Sequence, residues 1–234
     1  MIREAARRMV EAGSDAFDAL ADQSEQPVGT LRVTLPAFGV DGDIHNAMWA
    51  FARAHPMVTL TLNGSDRRVD LIREGFDLAI RLGRLSDSSL KSRKIGEFKR
   101  HLVASPAYLE RRAPVRTLDD LRACDFISYS MLPDKIILVR GSETVSFVPE
   151  NRHLEVDSIR LGKSAAKAGL GVQHLPLSDI GEDLATGALV EVLPEWRLPD
   201  LGTYVVWPDA GPQKKLTRRL IDFLAAAHTG DPPA

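Results

Sequence analysis

The chain has 234 residues, which at roughly 100 to 200 residues per domain means one large domain or two modest ones. Hydrophobic residues make up 44% and charged residues 26%, with 17 Gly and 14 Pro, a globular composition that excludes a disordered or collagen-like chain. Lys plus Arg is 30 against 32 for Asp plus Glu, a formal net charge of -2; this leaves none of the positive field of a free-standing nucleic-acid binder, and the single cysteine, Cys124, permits no intrachain disulfide.

Residues 2–21 read as a helix, with Ile2, Ala6, Met9, Val10, Gly13, Phe17 and Leu20 recurring at steps of three and four. An isolated helix of that length is marginal in water, so its apolar stripe needs a partner, a second copy of itself or an upstream segment. Asp22 to Gly29 (DQSEQPVG) is polar and broken by Pro27 and Gly29, as a linker would be. From Leu31 short apolar runs alternate with helical stretches: strand Leu31–Leu35, helix Ile44–Ala54 stopping at His55-Pro56, strand Met57–Leu62, short helix Val69–Glu74 closed by Gly75, strand Asp77–Leu82. That βαβαβ order predicts a parallel sheet with helices on its faces, an α/β fold.

Further strands are predicted at His101–Ser105, Phe126–Ser130, Ile136–Val139, Thr144–Val148, His153–Val156, Val172–Pro176, Leu189–Leu193 and Tyr204–Trp207, with a hairpin turn at Gly141-Ser142. Helices are predicted at Pro106–Arg112, at Thr117–Ala123 with Thr117 and Asp120 as a capping box, at Ser158–Ala168, and at the end through Leu216, Leu220, Phe223 and Leu224. The first ten residues, MIREAARRMV, are too charged for a secretory signal, and no apolar run approaches the ~18 residues of a membrane span. With one cysteine this fits a cytoplasmic protein with no membrane partner.

Chemical motifs are mostly false matches. Gly162-Lys163-Ser164 imitates a phosphate-binding loop, but the glycine required five residues earlier is Asp157. Gly169-Leu170-Gly171 precedes a strand and is followed by His174, so it reads as a helix terminus rather than a dinucleotide fingerprint. The six histidines share no helical metal-ligand spacing, and no nucleophile elbow occurs. Cys124, between Leu121 and Phe126, reads as a core thiol. Lys214, Lys215, Arg218 and Arg219 read as a solvated helix face. No metal, cofactor or catalytic constellation is expected.

Polar groups at strand ends are more informative, because open α/β sheets bind ligands beyond the carboxyl ends of their strands. Pro36, Ala37, Phe38 and Gly39 follow the first strand, Ser65 and Asp66 the second, and Arg81 ends the third. Ser105, Tyr129 and Ser130 end later strands, and Asp157 and Ser158 open a helix. A small carboxylate would take backbone N–H groups from residues 36–39 or 157–158 and the guanidinium of Arg81. Taken singly, Asp157 and Ser158 read as N-caps and Ser65-Asp66 as a turn.

These residues carry a resemblance. GTLRV at 29–33 with Pro36, FARAHP at 51–56, Ser65-Asp66-Arg67, Val69-Asp70-Leu71 and REGFDLAIRLG at 73–83 resemble the effector-binding region of LysR-type transcriptional regulators. ASPAYL at 104–109, Leu118–Leu121, Ala168–Val172 leading to Pro176, and LVEVLP at 189–194 do so as well, over about residues 2 to 225. The resemblance implies two Rossmann-like lobes joined by two crossover strands, similar to type 2 periplasmic binding proteins, with a small-molecule effector between them. The crossings are expected near Val103–Ser105 and Val205–Trp207. Residues 1–29 would then be linker helix and connector, 30–103 with 207–229 the first lobe, 104–206 the second, and 230–234 a tail.

The resemblance also implies a homo-oligomer, a dimer or tetramer, and a ligand sensor rather than an enzyme, with an organic acid as effector. The family's N-terminal winged helix-turn-helix is not among these residues, so DNA would be engaged only through it. A solute-binding protein for a small anion, and an enzyme using Asp66 and Asp157, stand as alternatives. His174, on a strand where relatives are commonly apolar, reads as a satisfied, partly buried histidine, with a ligand- or pH-sensitive role as the other reading. Phe38 next to Gly39 favours an effector with a flat or apolar body.

Overall fold

A computed structural model describes residues 27–39, 42–67, 69–83, 89–130, 132–209 and 214–229; the helix expected at residues 2–21 lies outside them. Strand β1 (Gly29–Leu35) pairs in parallel with β2 (Val58–Gly64) and β3 (Leu78–Leu82), with helix α1 (Asp43–Ala54) and helix α2 (Leu71–Glu74) in the connections. This is the predicted βαβαβ unit. Helix α1 forms where Ala47, Met48 and Phe51 bury at helical spacing, and it ends at His55, whose N–H still reaches the Phe51 carbonyl before Pro56 stops the run. Helix α2 is opened by Asp70, which accepts the Arg73 N–H at 3.0 Å, and closed by Gly75 at φ +70, a left-handed value that glycine adopts without Cβ strain.

Two antiparallel strands complete the first sheet. Strand β4 (Leu90–Phe98) lies at its edge, and β12 (Leu201–Pro208), from near the end of the chain, inserts between β3 and β4 to give the order β2-β1-β3-β12-β4. Strand β4 was not predicted: in LKSRKIGEF only Ile95 is buried, so the edge strand lacks the apolar alternation that would reveal it. Helix α7 (Lys215–Thr229) packs with α1 on one face of this sheet. There Leu31, Met48, Phe51, Ile80 and Leu220 are fully buried, and Phe51 meets Phe223 edge to face at 5.3 Å.

A second sheet is built from β5 (Arg100–Ala104), flanked antiparallel by β10 (Gln173–Pro176) and by the two-residue β11 (Val190–Glu191). Strand β6 (Asp125–Tyr129) runs parallel to β9 (Asn151–Val156), and a parallel bridge from Phe126 to Val172 ties that pair to the start of β10. Strands β7 (Ile136–Arg140) and β8 (Glu143–Phe147) form the hairpin predicted at Gly141-Ser142. Helix α3 is Pro106–Glu110, and α4 is Leu118–Arg122 with the expected Thr117–Asp120 capping box in place. Helix α5 (Ile159–Lys167) turns at Gly169 into β10, the Leu170 N–H returning to the Ala165 carbonyl, so Gly162-Lys163-Ser164 is ordinary helix. Helix α6 (Leu177–Ala185) was not predicted, although Leu177, Ile180 and Leu184 have helical spacing; Pro176 before it and Gly181 within it obscured the run.

The chain leaves the first sheet after Phe98, enters the second at Arg100, and rejoins the first at Leu201. The crossings expected at Val103–Ser105 and Val205–Trp207 thus coincide with positions in or directly after β5 and within β12, several residues beyond the points where the chain changes sheet.

Candidate functional site

Between the two sheets lies a cavity of about 540 Å³. Its first wall carries Pro36, Phe38, Ser65, Asp66 and Arg81, and its second Tyr129, Asp157, Ile159 and His174. Seven of the predicted site residues therefore meet at one cavity: Pro36, Phe38, Ser65, Asp66, Arg81, Tyr129 and Asp157. The other five lie elsewhere. Ser105 is the buried N-cap of α3, accepting the Tyr108 N–H at 3.4 Å. Ser130 is exposed on an open depression beside α5, and Ser158 occupies the N-cap of α5 without a side-chain capping bond. Ala37 contributes only its backbone, and Gly39 lines a smaller adjoining cavity.

The α5 N-terminus is satisfied from the other sheet. One Asp66 carboxylate oxygen accepts the Ala37 N–H at 2.8 Å and the other accepts the Ile159 N–H at 3.2 Å. A carboxylate at a helix N-terminus meets both an unsatisfied donor and the positive end of the helix dipole. Nearby, Asp179 on α6 accepts the Gly39 N–H at 3.1 Å, a second tie between the halves. Of the backbone donors expected to receive a ligand carboxylate, those of Ala37 and Gly39 thus already have partners from the protein itself, as does the neighbouring Ile159 N–H. The same geometry engages both Asp66 oxygens, which leaves little for the acid-base role considered for that residue.

Arg81 reaches the Thr34 hydroxyl at 3.3 Å and the Ser65 carbonyl at 3.5 Å, long bonds that leave donors of the fork unused. Burial pulls its guanidinium below the ordinary value, opposed by Glu74 and Asp66. Phe38 meets Phe98 at 6.2 Å and 45°, an aromatic pair lining the cavity.

The second wall adds Arg100, which nothing in the sequence singled out, to His174 and the predicted Tyr129. His174 is only 7% exposed and neither ring nitrogen has a hydrogen-bond partner, so the expectation of a satisfied histidine does not hold. Burial, reinforced by the charge of Arg100, pushes the imidazole down to about 3. The Tyr129 ring packs edge-on against it at 5.3 Å, and the buried Tyr129 hydroxyl has no partner. Arg100 lines the same cavity and donates to the Pro199 carbonyl at 3.0 Å, while its buried Nε donates to nothing. Buried polar groups are ordinarily satisfied, and several orphans at one cavity point to an absent partner. The pattern around Val172–Pro176 signalled burial of His174, but a partner's absence has no local sequence signature.

Among the described residues no group of three or more His, Cys, Asp or Glu is placed to hold a metal, and none of the described helices is long and apolar enough to cross a membrane. Burial pushes the Cys124 thiol up to about 11, in keeping with its reading as a core residue.

A family model described as the LysR substrate binding domain matches residues 24–229. The HTH-type transcriptional regulator PtxR of Pseudomonas aeruginosa is 32% identical over 230 residues, covering 97% of this chain and 73% of that protein. The full-length structure of AphB, the Vibrio cholerae virulence activator and a member of the LTTR family, aligns with a TM-score of 0.71 and 26% identity over 97% of this chain and 78% of that one. The regulatory domain of CrgA, a LysR-type regulator from Neisseria meningitidis, gives a TM-score of 0.70 at 21% identity over 86% of this chain and 100% of that one, a likeness of fold.

Proposed function

The chain belongs to the LysR-type transcriptional regulators and has the type 2 periplasmic-binding-protein-like α/β fold of their effector-binding domains; from that premise we propose that it senses a small organic acid in the cavity between its two sheets. The observation that carries this reading is the cavity of about 540 Å³, walled from both sheets and lined by orphaned buried polar groups. Ligand sites are concave and mostly apolar, with a few placed polar groups that fix orientation. Here Phe38 and Phe98 offer a flat apolar surface, and Arg81 and Arg100 offer positive charge. Sheet membership supports lobes of residues 29–98 with 201–229 and of residues 100–199, a boundary a few residues earlier than the sequence suggested.

Effector binding would act by differential affinity for two placements of the lobes or of two protomers, since a ligand that binds both equally shifts nothing. The response reaches DNA through a helix-turn-helix domain outside these residues, in a cytoplasmic homo-oligomer. The ties from Asp66 to Ile159 and from Asp179 to Gly39 are the contacts that such a displacement would strain or break. A thermal-shift screen of the chain against aromatic and aliphatic organic acids tests the reading. We expect a saturable rise in melting temperature that is weakened by Arg81→Ala; failure of every acid to stabilise the chain contradicts it.

A further inference from the structure

The two lobes differ in what they still offer a ligand. On the first lobe, the backbone donors at Ala37 and Gly39 are taken by Asp66 and Asp179, the Ile159 amide facing them is taken by Asp66, and the spare donors are those of Arg81, whose guanidinium is already tied to Thr34 and Ser65. On the second, unused donors remain. Strands β5 and β10 are antiparallel, with His174 opposite Leu102 and Pro176 opposite Arg100. Arg100 and His174 are therefore diagonal neighbours on one face of the sheet, at the spacing over which long side chains interact, and both line the cavity.

We propose that the effector's acid group is received on this sheet face, by the guanidinium of Arg100 and the imidazole N–H of His174, and not at the helix N-terminus that Asp66 already fills. The proposal rests on the cleft-sensor reading and adds where the ligand's charge sits. Its support is geometric. The imidazole is over nine-tenths buried with both nitrogens unpartnered, and the Arg100 Nε is buried and unpartnered beside it. A neutral imidazole carries one N–H donor, and an anion accepting from it and from the guanidinium would satisfy donors that cost free energy when buried alone. Desolvation holds both groups below their ordinary values, and an anion would oppose that displacement. The Tyr129 ring, edge-on to His174, fixes the wall beside the site. The ligand class is a carboxylate whose apolar body extends from this face toward Phe38.

The test pairs each carboxylate with its isosteric primary amide, benzoate with benzamide and the aliphatic acids likewise, titrated into the chain by calorimetry. Acids are expected to bind at least roughly tenfold more tightly than their amides, and Arg100→Gln to remove most of that preference, since a hydrogen bond to a charged group is commonly worth tenfold or more. His174→Leu is expected to lose acid affinity while melting at or above the wild-type temperature, because it replaces an unpartnered imidazole by an apolar side chain. Acid binding that is abolished by the cleft-filling Phe38→Trp but unchanged in Arg100→Gln and His174→Leu overturns the subsite and leaves the cleft reading standing. Acid binding that survives Phe38→Trp fails the cleft reading itself. Acids that bind no better than their amides, or a His174→Leu variant that melts well below wild type, overturn the proposal.

Discussion

A buried side chain with no partner influences stability even before a ligand arrives, and His174 is the clearest case. Its imidazole is held down to about 3 by burial and by Arg100, whereas in the unfolded chain it titrates near its ordinary value of 6.5. Between those values the unfolded state binds the extra proton, so stability rises with pH through that window and is lost as pH falls from about 6.5 toward 3. One proton contributes a slope of at most about 1.4 kcal/mol per pH unit. Urea unfolding across that range should show the slope in the wild type and a smaller one in His174→Leu; identical slopes would mean that the fold does not hold the imidazole neutral. Cys124 makes a second prediction at this scale. Its thiol is buried and raised to about 11, and reactivity follows the thiolate. Iodoacetamide at neutral pH should leave the folded chain unmodified and alkylate it after denaturation, and rapid labelling of the native protein would contradict its place in the core.

Helix α5 depends on a cap that comes from 93 residues away in the chain, the Asp66 carboxylate on the Ile159 N–H. Removing a carboxylate N-cap costs about 0.5–2 kcal/mol, and here the Ala37 amide is orphaned as well. Asp66→Ala should therefore destabilise the chain by about 1–3 kcal/mol in urea titrations, with faster amide hydrogen exchange at Ala37 and Ile159 together. Faster exchange at only one of them would show that the carboxylate does not bridge the halves. The sequence made much of this level readable, for local reasons. Alternating strands and helices predicted the β1–β3 unit, Thr117 with Asp120 predicted a local cap, and Gly141-Ser142 predicted the hairpin. It concealed β4, whose single buried side chain reflects pairing with distant β12, and it read Ser65-Asp66 as a turn because the partners of Asp66 lie in other elements. The site residues at strand ends were legible as a set, since strand ends are where open sheets bind ligands. Which of them retain free donors was not, because that is decided by tertiary pairing.

At the scale of the molecule, two sheets are joined by the chain at Lys99 and again just before Leu201, with the cavity of about 540 Å³ between them. The walls belong to different sheets, so a ligand that touches both couples to their relative placement, and its influence on placement equals its differential affinity for the two arrangements. At 100 times its dissociation constant such a ligand adds about 2.7 kcal/mol to stability, which for a chain of this size raises the melting temperature by roughly 5–10 °C. The measurement that tests the central claim most directly is hydrogen–deuterium exchange of the chain with and without a saturating organic acid found by that shift. The account predicts simultaneous protection of segments on both walls, around residues 36–39 and 65–67 on one and 157–160 and 173–176 on the other. Protection confined to one sheet, or to the separate open groove formed by Pro106, Leu109 and Val190–Pro194, would contradict a ligand held between the lobes.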